Sequence, residues 1–193
     1  MTIFALDLGT STGWALTDGV TVESGVQTFD VKRGESPGMR YVRFNAWLSD
    51  TAIIPDLIVY EQTHQRGGAA TEVAAGLATR VQEYCAREKC EHTAVHTATL
   101  KKWATGSGRG GKTAMIAAAC NLGSRGPVFQ RAADDFMKRY NDWCDKVKPN
   151  TAQVEKSPFA DEADALCLLA YAQEELVGEV PGCRVKMEEA NSV

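Results

Sequence analysis

The first twenty residues constrain the fold more than any other stretch of the sequence. Thr2 to Leu6 is an apolar run typical of a buried strand, and Asp7 ends it. A turn rich in Gly, Ser and Thr then leads into a second strand-like run, Gly13 to Thr17. A carboxylate at the end of a buried strand is costly unless a positive charge lies against it. We therefore predict that Asp7 either caps a hairpin in solvent or faces a cation.

Further strand-like runs supply a second carboxylate in a similar place. Asp18-Gly19 is typical of a hairpin turn and predicts a third strand over Thr21 to Phe29. Leu57 to Tyr60 is a short apolar run of the buried parallel type, and Glu61 follows it directly. Glu91 to His96 is predicted to be a fifth strand. Two acids, Asp7 and Glu61, thus end two predicted buried strands.

A pair of acids also begins the last predicted helix. Start signals and apolar spacing predict helices over Ser36–Thr51, Ala70–Lys89, Thr99–Ala104, Lys112–Leu122, Gln130–Lys146 and Phe159–Val177. Asp161 and Asp164 are three residues apart and can project from one face of the last helix. Glu162 is about 100° round that helix and is left out of the acidic set. Ordinary capping also places acids here, because the N-terminal end of a helix favours anions.

The four acids have a chemical use if the fold brings them together. Two unit charges about 4 Å apart repel by about 4 kcal/mol at an effective dielectric of about 20, so such a cluster needs cations. Two Mg²⁺ ions would neutralise four carboxylates in an oxygen-rich shell. A metal pair of this kind hydrolyses phosphodiesters by activating water and stabilising the leaving oxygen. Mn²⁺ accepts the same shell and is expected to substitute.

Composition indicates one intracellular domain. At 193 residues the chain can bury a sizeable core, it has no apolar run long enough to cross a membrane, and its first residues lack signal-peptide order. The six cysteines are expected to be reduced thiols. Cys85, Cys90, His92 and His96 lie close in sequence, but their spacing matches no common zinc module.

Charge is distributed unevenly along the chain. The segment 97–157 carries eleven Lys or Arg and five Asp or Glu, whereas the remainder carries ten and twenty. The central segment therefore has a net charge of +6 although the chain as a whole is at −4. Such a segment could present one face to a polyanion such as DNA, or simply form a solvated basic face.

The order of these elements resembles the ribonuclease H-like fold, and within it the RuvC-type Holliday-junction resolvases, particularly their phage-encoded relatives. The matching stretches are LDLGTSTGWAL (Leu6 to Leu16), IVYEQ (Ile58 to Gln62), TLKKWATGSGRGGKTAMI (Thr99 to Ile116) and DEADALCLLAYA (Asp161 to Ala172). The resemblance implies an α/β fold with a five-stranded mixed sheet, its first three strands antiparallel, flanked by helices. It implies one nuclease domain over residues 1–178, with a helical insertion at 123–157 and a tail at 179–193.

The resemblance also implies roles for individual residues. Metal-binding and catalytic roles fall on Asp7, Glu61, Asp161 and Asp164, and DNA-phosphate contacts on Lys101, Lys102, Arg109, Lys112 and Arg66. Arg66 lies in the loop after Glu61, where the family's junction-opening residues lie, although this loop lacks an aromatic residue. The family acts as a homodimer on four-way and related branched DNA and nicks two strands symmetrically. It uses Mg²⁺, two ions per site, and no nucleotide cofactor, and a cytoplasmic location is expected.

Three alternatives remain open at this stage. Gly106 to Thr113 satisfies the G-x-x-x-x-G-K-[ST] pattern of nucleotide hydrolases, but a true P-loop follows a buried strand and this stretch follows a predicted basic helix. Asp7 to Ser11 resembles the first phosphate loop of actin-like sugar kinases, which need two such domains and a longer chain. A non-catalytic, DNA-binding ribonuclease H-like scaffold is the third alternative.

Overall fold

A mixed sheet forms the centre of the molecule. A computed structural model describes residues 1–51, 53–62 and 68–177. Within them, five strands pair in the order β3-β2-β1-β4-β5. The strands are β1 (Ile3–Asp7), β2 (Ser11–Thr17), β3 (Val22–Thr28), β4 (Leu57–Glu61) and β5 (Glu91–Val95). The first three are antiparallel, whereas β4 and β5 run parallel to β1.

The five predicted strands are confirmed, with small shifts at their ends. β1 extends to Asp7 because this residue still pairs with Gly13, and β2 begins earlier than predicted because Ser11 pairs with Thr28. The predicted turn at Asp18 is present. The Asp18 carboxylate accepts the backbone N–H groups of the two residues that return the chain into β3, at 2.8 and 2.7 Å. Its side chain therefore closes the hairpin.

Helices cover both faces of the sheet. Their bounds are α1 (Met39–Asp50), α2 (Ala69–Glu88), α3 (Thr97–Thr105), α4 (Lys112–Cys120), α5 (Pro127–Val147), α6 (Thr151–Glu155) and α7 (Pro158–Tyr171). The short α6 was not predicted; a reciprocal capping box between Asn150 and Gln153 begins it. A π-helical turn, Ala172–Leu176, follows α7. None of the described helices combines the length and apolar character needed to cross a membrane.

Successive side chains of each strand point to opposite faces of the sheet, so the hydrophobic core is divided into two layers. On β1, Phe4 and Leu6 face the layer that contains α1 and α2, whereas Ile3 and Ala5 face the layer that contains α4, α5 and α7. Helix α7 is buried on almost every side because it lies between the sheet and helix α4, with side chains of α5 against its first turn. This central placement fixes the position of its first turn relative to the strands.

Candidate active site

Two of the predicted site acids lie side by side at one edge of the sheet. Asp7 and Glu61 are the last residues of β1 and β4. These strands are parallel neighbours with Leu6 opposite Tyr60, so the next residue of each strand emerges at the same edge. Parallel pairing therefore brings together two carboxylates that are far apart in sequence.

Helix α7 reaches the same edge because β2 carries a glycine there. Gly13 is the antiparallel partner of Asp7. A Cβ at this position would overlap the Asp161 backbone carbonyl group, so the first turn of α7 lies directly on the strand. Glycine is the residue that permits this approach, and sequence reasoning did not identify its role.

The pKa values show that the four acids share one electrostatic environment. The pKa of Asp7 is raised well above its usual range by burial and by Asp164, Glu61 and Asp161, although part of the residue surface is exposed. The pKa of Asp164 is raised to about 7, first by burial and then by Glu61. Folding thus gathers acids from three separate elements.

Two of the predicted DNA-binding lysines also lie at this cluster. Lys112 Nζ is 3.1 Å from Asp161 Oδ1. Burial alone would lower the pKa of Lys112, but Asp161, Asp7 and Asp164 together outweigh this effect and the net shift is upward. Lys101 is close enough to lower the pKa of Asp164. Four acids and two ammonium groups leave the site with a formal charge of −2.

The other predicted DNA contacts lie further out or outside the described residues. Lys102 is exposed on α3, and Arg109 is exposed in the loop before α4. Arg66 lies outside the described part of the chain, together with residues 63–65 of the same loop. The phosphate-binding roles of all these residues remain predictions.

Comparison with known proteins identifies the fold. No protein-family model matches the sequence, and no curated protein matches it. Among solved structures, a Thermus thermophilus RuvC structure aligns with TM-score 0.57 and 15% identity over 90% of this chain and 96% of that chain. T. thermophilus RuvC in complex with a Holliday junction substrate aligns with TM-score 0.61 and 14% identity, over 92% and 96%.

The chain has a RuvC-like fold. The predicted fold class is therefore confirmed, including the mixed sheet with three antiparallel strands at its start. The acid cluster of this RuvC-like chain lies where β1, β4 and α7 meet.

Glu162 lies outside the cluster, as its angular offset predicts. Its side chain, 4% exposed, accepts two hydrogen bonds from the Arg139 guanidinium, at 2.6 and 3.0 Å. It also accepts a 2.6 Å bond from Ser24 Oγ on β3. The residue after Asp161 thus ties α7 to α5 and to the edge of the sheet.

The cluster suits a hard divalent cation in charge and donor type. Asp164 Oδ1 is buried and has no hydrogen-bond partner in the part of the chain that the structure describes, and a net negative all-oxygen set matches Mg²⁺ or Mn²⁺. Among the described residues, no three acidic, thiol or imidazole side chains converge tightly enough to form a metal site.

The cysteine and histidine group has other contacts. His96 Nδ1 accepts the Ala98 backbone N–H and so caps α3. The His92 ring lies 6.3 Å from the ring of Tyr60. The Cys85 thiol is buried and lies 3.8 Å from the Glu91 carbonyl oxygen. These three residues thus contribute to the packing around β5.

The P-loop pattern lies in a different structural context from that of nucleotide hydrolases. Helix α3 ends at Thr105, and Gly106 adopts the left-handed conformation that terminates it. The loop to α4 therefore follows a helix, whereas a P-loop follows a buried strand. The sequence Asp-Glu-Ala-Asp at 161–164 also matches the metal-binding DEAD motif of helicase-like nucleotide hydrolases. That motif follows an apolar strand, whereas here it lies inside α7.

Proposed function

We propose that this protein is a metal-dependent, structure-selective DNA endonuclease that resolves Holliday junctions and related branched DNA by paired symmetric nicks. The observation that carries the proposal is the gathering of Asp7, Glu61, Asp161 and Asp164 at one edge of a RuvC-like sheet. A RuvC structure of similar fold contains a Holliday junction substrate, which supports branched DNA as the ligand class.

The four acids would hold the metal ions. When bound, two Mg²⁺ ions would supply an activated water molecule and stabilise the leaving oxygen of the phosphodiester. Lys101 and Lys112 would help hold the negatively charged phosphate beside the acids, since their ammonium groups already lie there. Lys102 and Arg109, exposed on the same α3–α4 segment, would contact neighbouring phosphates.

A homodimer is part of the proposal. Symmetric nicks in two strands require two active sites, and the described part of this chain contains one such acid cluster. A second copy would supply the other.

The helical region 123–157 would be an addition to the nuclease domain. The exposed side of α5, which lies in this region, would contact DNA or the second subunit.

Replacing Asp7 tests the proposal. We expect Asp7→Asn to abolish cutting of a synthetic four-way junction in Mg²⁺ while junction binding is retained, because the substitution removes a metal-binding charge and keeps the side-chain shape. Asp142→Asn, which makes the same charge change at an exposed position on α5, is the control. Undiminished cutting by Asp7→Asn would show that Asp7 is not required for catalysis. A wild-type protein that binds junctions but never cuts them would instead favour the non-catalytic scaffold.

A further inference from the structure

Thr97, the first residue of α3, contacts an acid of the cluster. Val95 at the end of β5 pairs with Glu61, and the Gln62 backbone N–H donates to the Val95 carbonyl at 2.8 Å. The chain that leaves β5 therefore passes beside the end of β4. There the Thr97 hydroxyl donates a 2.7 Å hydrogen bond to Glu61 Oε2.

Helix capping does not account for this hydroxyl. The N-cap of α3 is His96, whose Nδ1 accepts the Ala98 N–H at 3.2 Å. The His96 carbonyl oxygen accepts the backbone N–H groups of Thr99 and Leu100. The start of the helix thus has its own cap, and the Thr97 hydroxyl is directed at Glu61.

The bond restricts the rotation of the Glu61 side chain. Glutamate has three rotatable side-chain torsions, and ordering such a side chain costs about 1–2 kcal/mol of conformational entropy. The hydrogen bond from Thr97 to Oε2 favours the conformations in which the Glu61 carboxylate lies beside the first residue of α3. One turn further on, Lys101 lies near Asp164, so the same face of α3 reaches two acids of the cluster.

We infer that Thr97 is a positioning residue that holds the Glu61 carboxylate ready for a divalent cation. The inference rests on the proposed function of the acid cluster. Groups that hydrogen-bond to a metal-binding side chain orient it, and losing one typically costs about 10- to 100-fold in metal affinity or activity. No local sequence pattern marks Thr97, which lies two residues after the end of β5.

Three variants test the inference. Thr97→Val keeps the shape and removes the hydroxyl, Thr97→Ser keeps the hydroxyl, and Thr99→Val makes the same change as the first at an exposed position on the same helix. Mn²⁺ affinity is measured by calorimetry on the full chain without DNA. The Mn²⁺ concentration for half-maximal junction cutting is measured in parallel, with circular dichroism to verify folding.

We expect Thr97→Val to weaken Mn²⁺ binding by about tenfold or more and to raise the half-maximal Mn²⁺ concentration correspondingly. Junction affinity measured without divalent metal should not change, and Thr97→Ser and Thr99→Val should match the wild type. Wild-type Mn²⁺ affinity in Thr97→Val would overturn the inference. Equal impairment in Thr97→Ser would overturn it too, because the hydroxyl is retained there.

The experiment separates this inference from the function on which it rests. If the wild type neither binds Mn²⁺ nor cuts junctions, the proposed function fails and the role of Thr97 fails with it. If the wild type does both and Thr97→Val is indistinguishable from it, only the positioning role fails.

Discussion

Asp164 leads to a stability prediction that requires neither metal nor DNA. Its carboxyl group is buried, and Oδ1 has no hydrogen-bond partner within residues 1–51, 53–62 and 68–177. The pKa is raised from 3.8 to about 7 by burial and then by Glu61. The charged carboxylate is therefore less favourable in the folded protein than in the unfolded chain. We predict that Asp164→Asn increases the free energy of unfolding of the metal-free protein at about pH 8, since the amide carries no charge.

The expected gain in stability follows from the rise in the pKa of Asp164. A rise from 3.8 to about 7 is about three pKa units, and each unit corresponds to about 1.4 kcal/mol, which sets an upper limit near 4 kcal/mol. The amide introduces an NH₂ group whose donors need partners, at a cost of about 1–3 kcal/mol. We therefore expect a net gain of about 2 kcal/mol at about pH 8.

The pH dependence has a definite sign. Below about pH 4 the carboxyl group is protonated in both states, so the wild type has no penalty. Between about pH 4 and pH 7 the folded state retains the proton longer, and the wild type loses stability as pH rises. The advantage of Asp164→Asn should therefore grow across this window and level off above about pH 7.

Urea unfolding in a chelating buffer, at several pH values from about 5 to 8, measures the effect. Asp142→Asn, an exposed acid on α5, is the matched control and should change stability by less than about 0.5 kcal/mol at each pH. A gain that is the same at every pH, or a loss of stability at about pH 8, would refute the reasoning. Either result would mean that the Asp164 charge is not penalised in the folded protein.

Two further predictions concern how α7 is held. Gly13→Ala should cost about 1–3 kcal/mol of stability and most of the cutting activity, because a Cβ there overlaps the Asp161 carbonyl. Urea unfolding measures the loss of stability, and a junction-cutting assay measures the loss of activity. Gly38→Ala is the control, because Gly38 has room for a methyl group. Equal effects of the two substitutions would contradict the prediction. Arg139→Ala should cost about 2–3 kcal/mol, because it leaves Glu162 buried without its charge partner. Arg131→Ala, at an exposed position on α5, is the comparison in thermal unfolding, and an equal loss would argue against a special role for the pair.

The strands and the acids that end two of them were predicted from local patterns, because Asp7 and Glu61 each follow an apolar run. The mixed sheet into which these strands assemble was predicted from the resemblance to the ribonuclease H-like fold. Asp161 and Asp164 were predicted to share one face from their helical spacing alone.

The contacts that support the acids could not be predicted in this way. Thr97 and Gly13 have no unusual local pattern, and their roles depend on how α3 and α7 pack against the strands. The family resemblance implied a phosphate contact for Lys112, and that role stays a prediction; its ion pair with Asp161 depends on the packing of α4 against α7 and could not be predicted from the sequence. The short α6 was also missed, since its capping box spans only a few residues.

The bond between Glu162 and Arg139 has a consequence for engineering. Lengthening or shortening a surface loop is ordinarily tolerated, because the entropic cost of loop closure depends only weakly on loop length. Removal of α5 would instead leave the Glu162 carboxylate buried without its charge partner, next to Asp161 in the sequence. A minimised version of this protein would therefore have to replace Glu162 with an apolar residue in the same step.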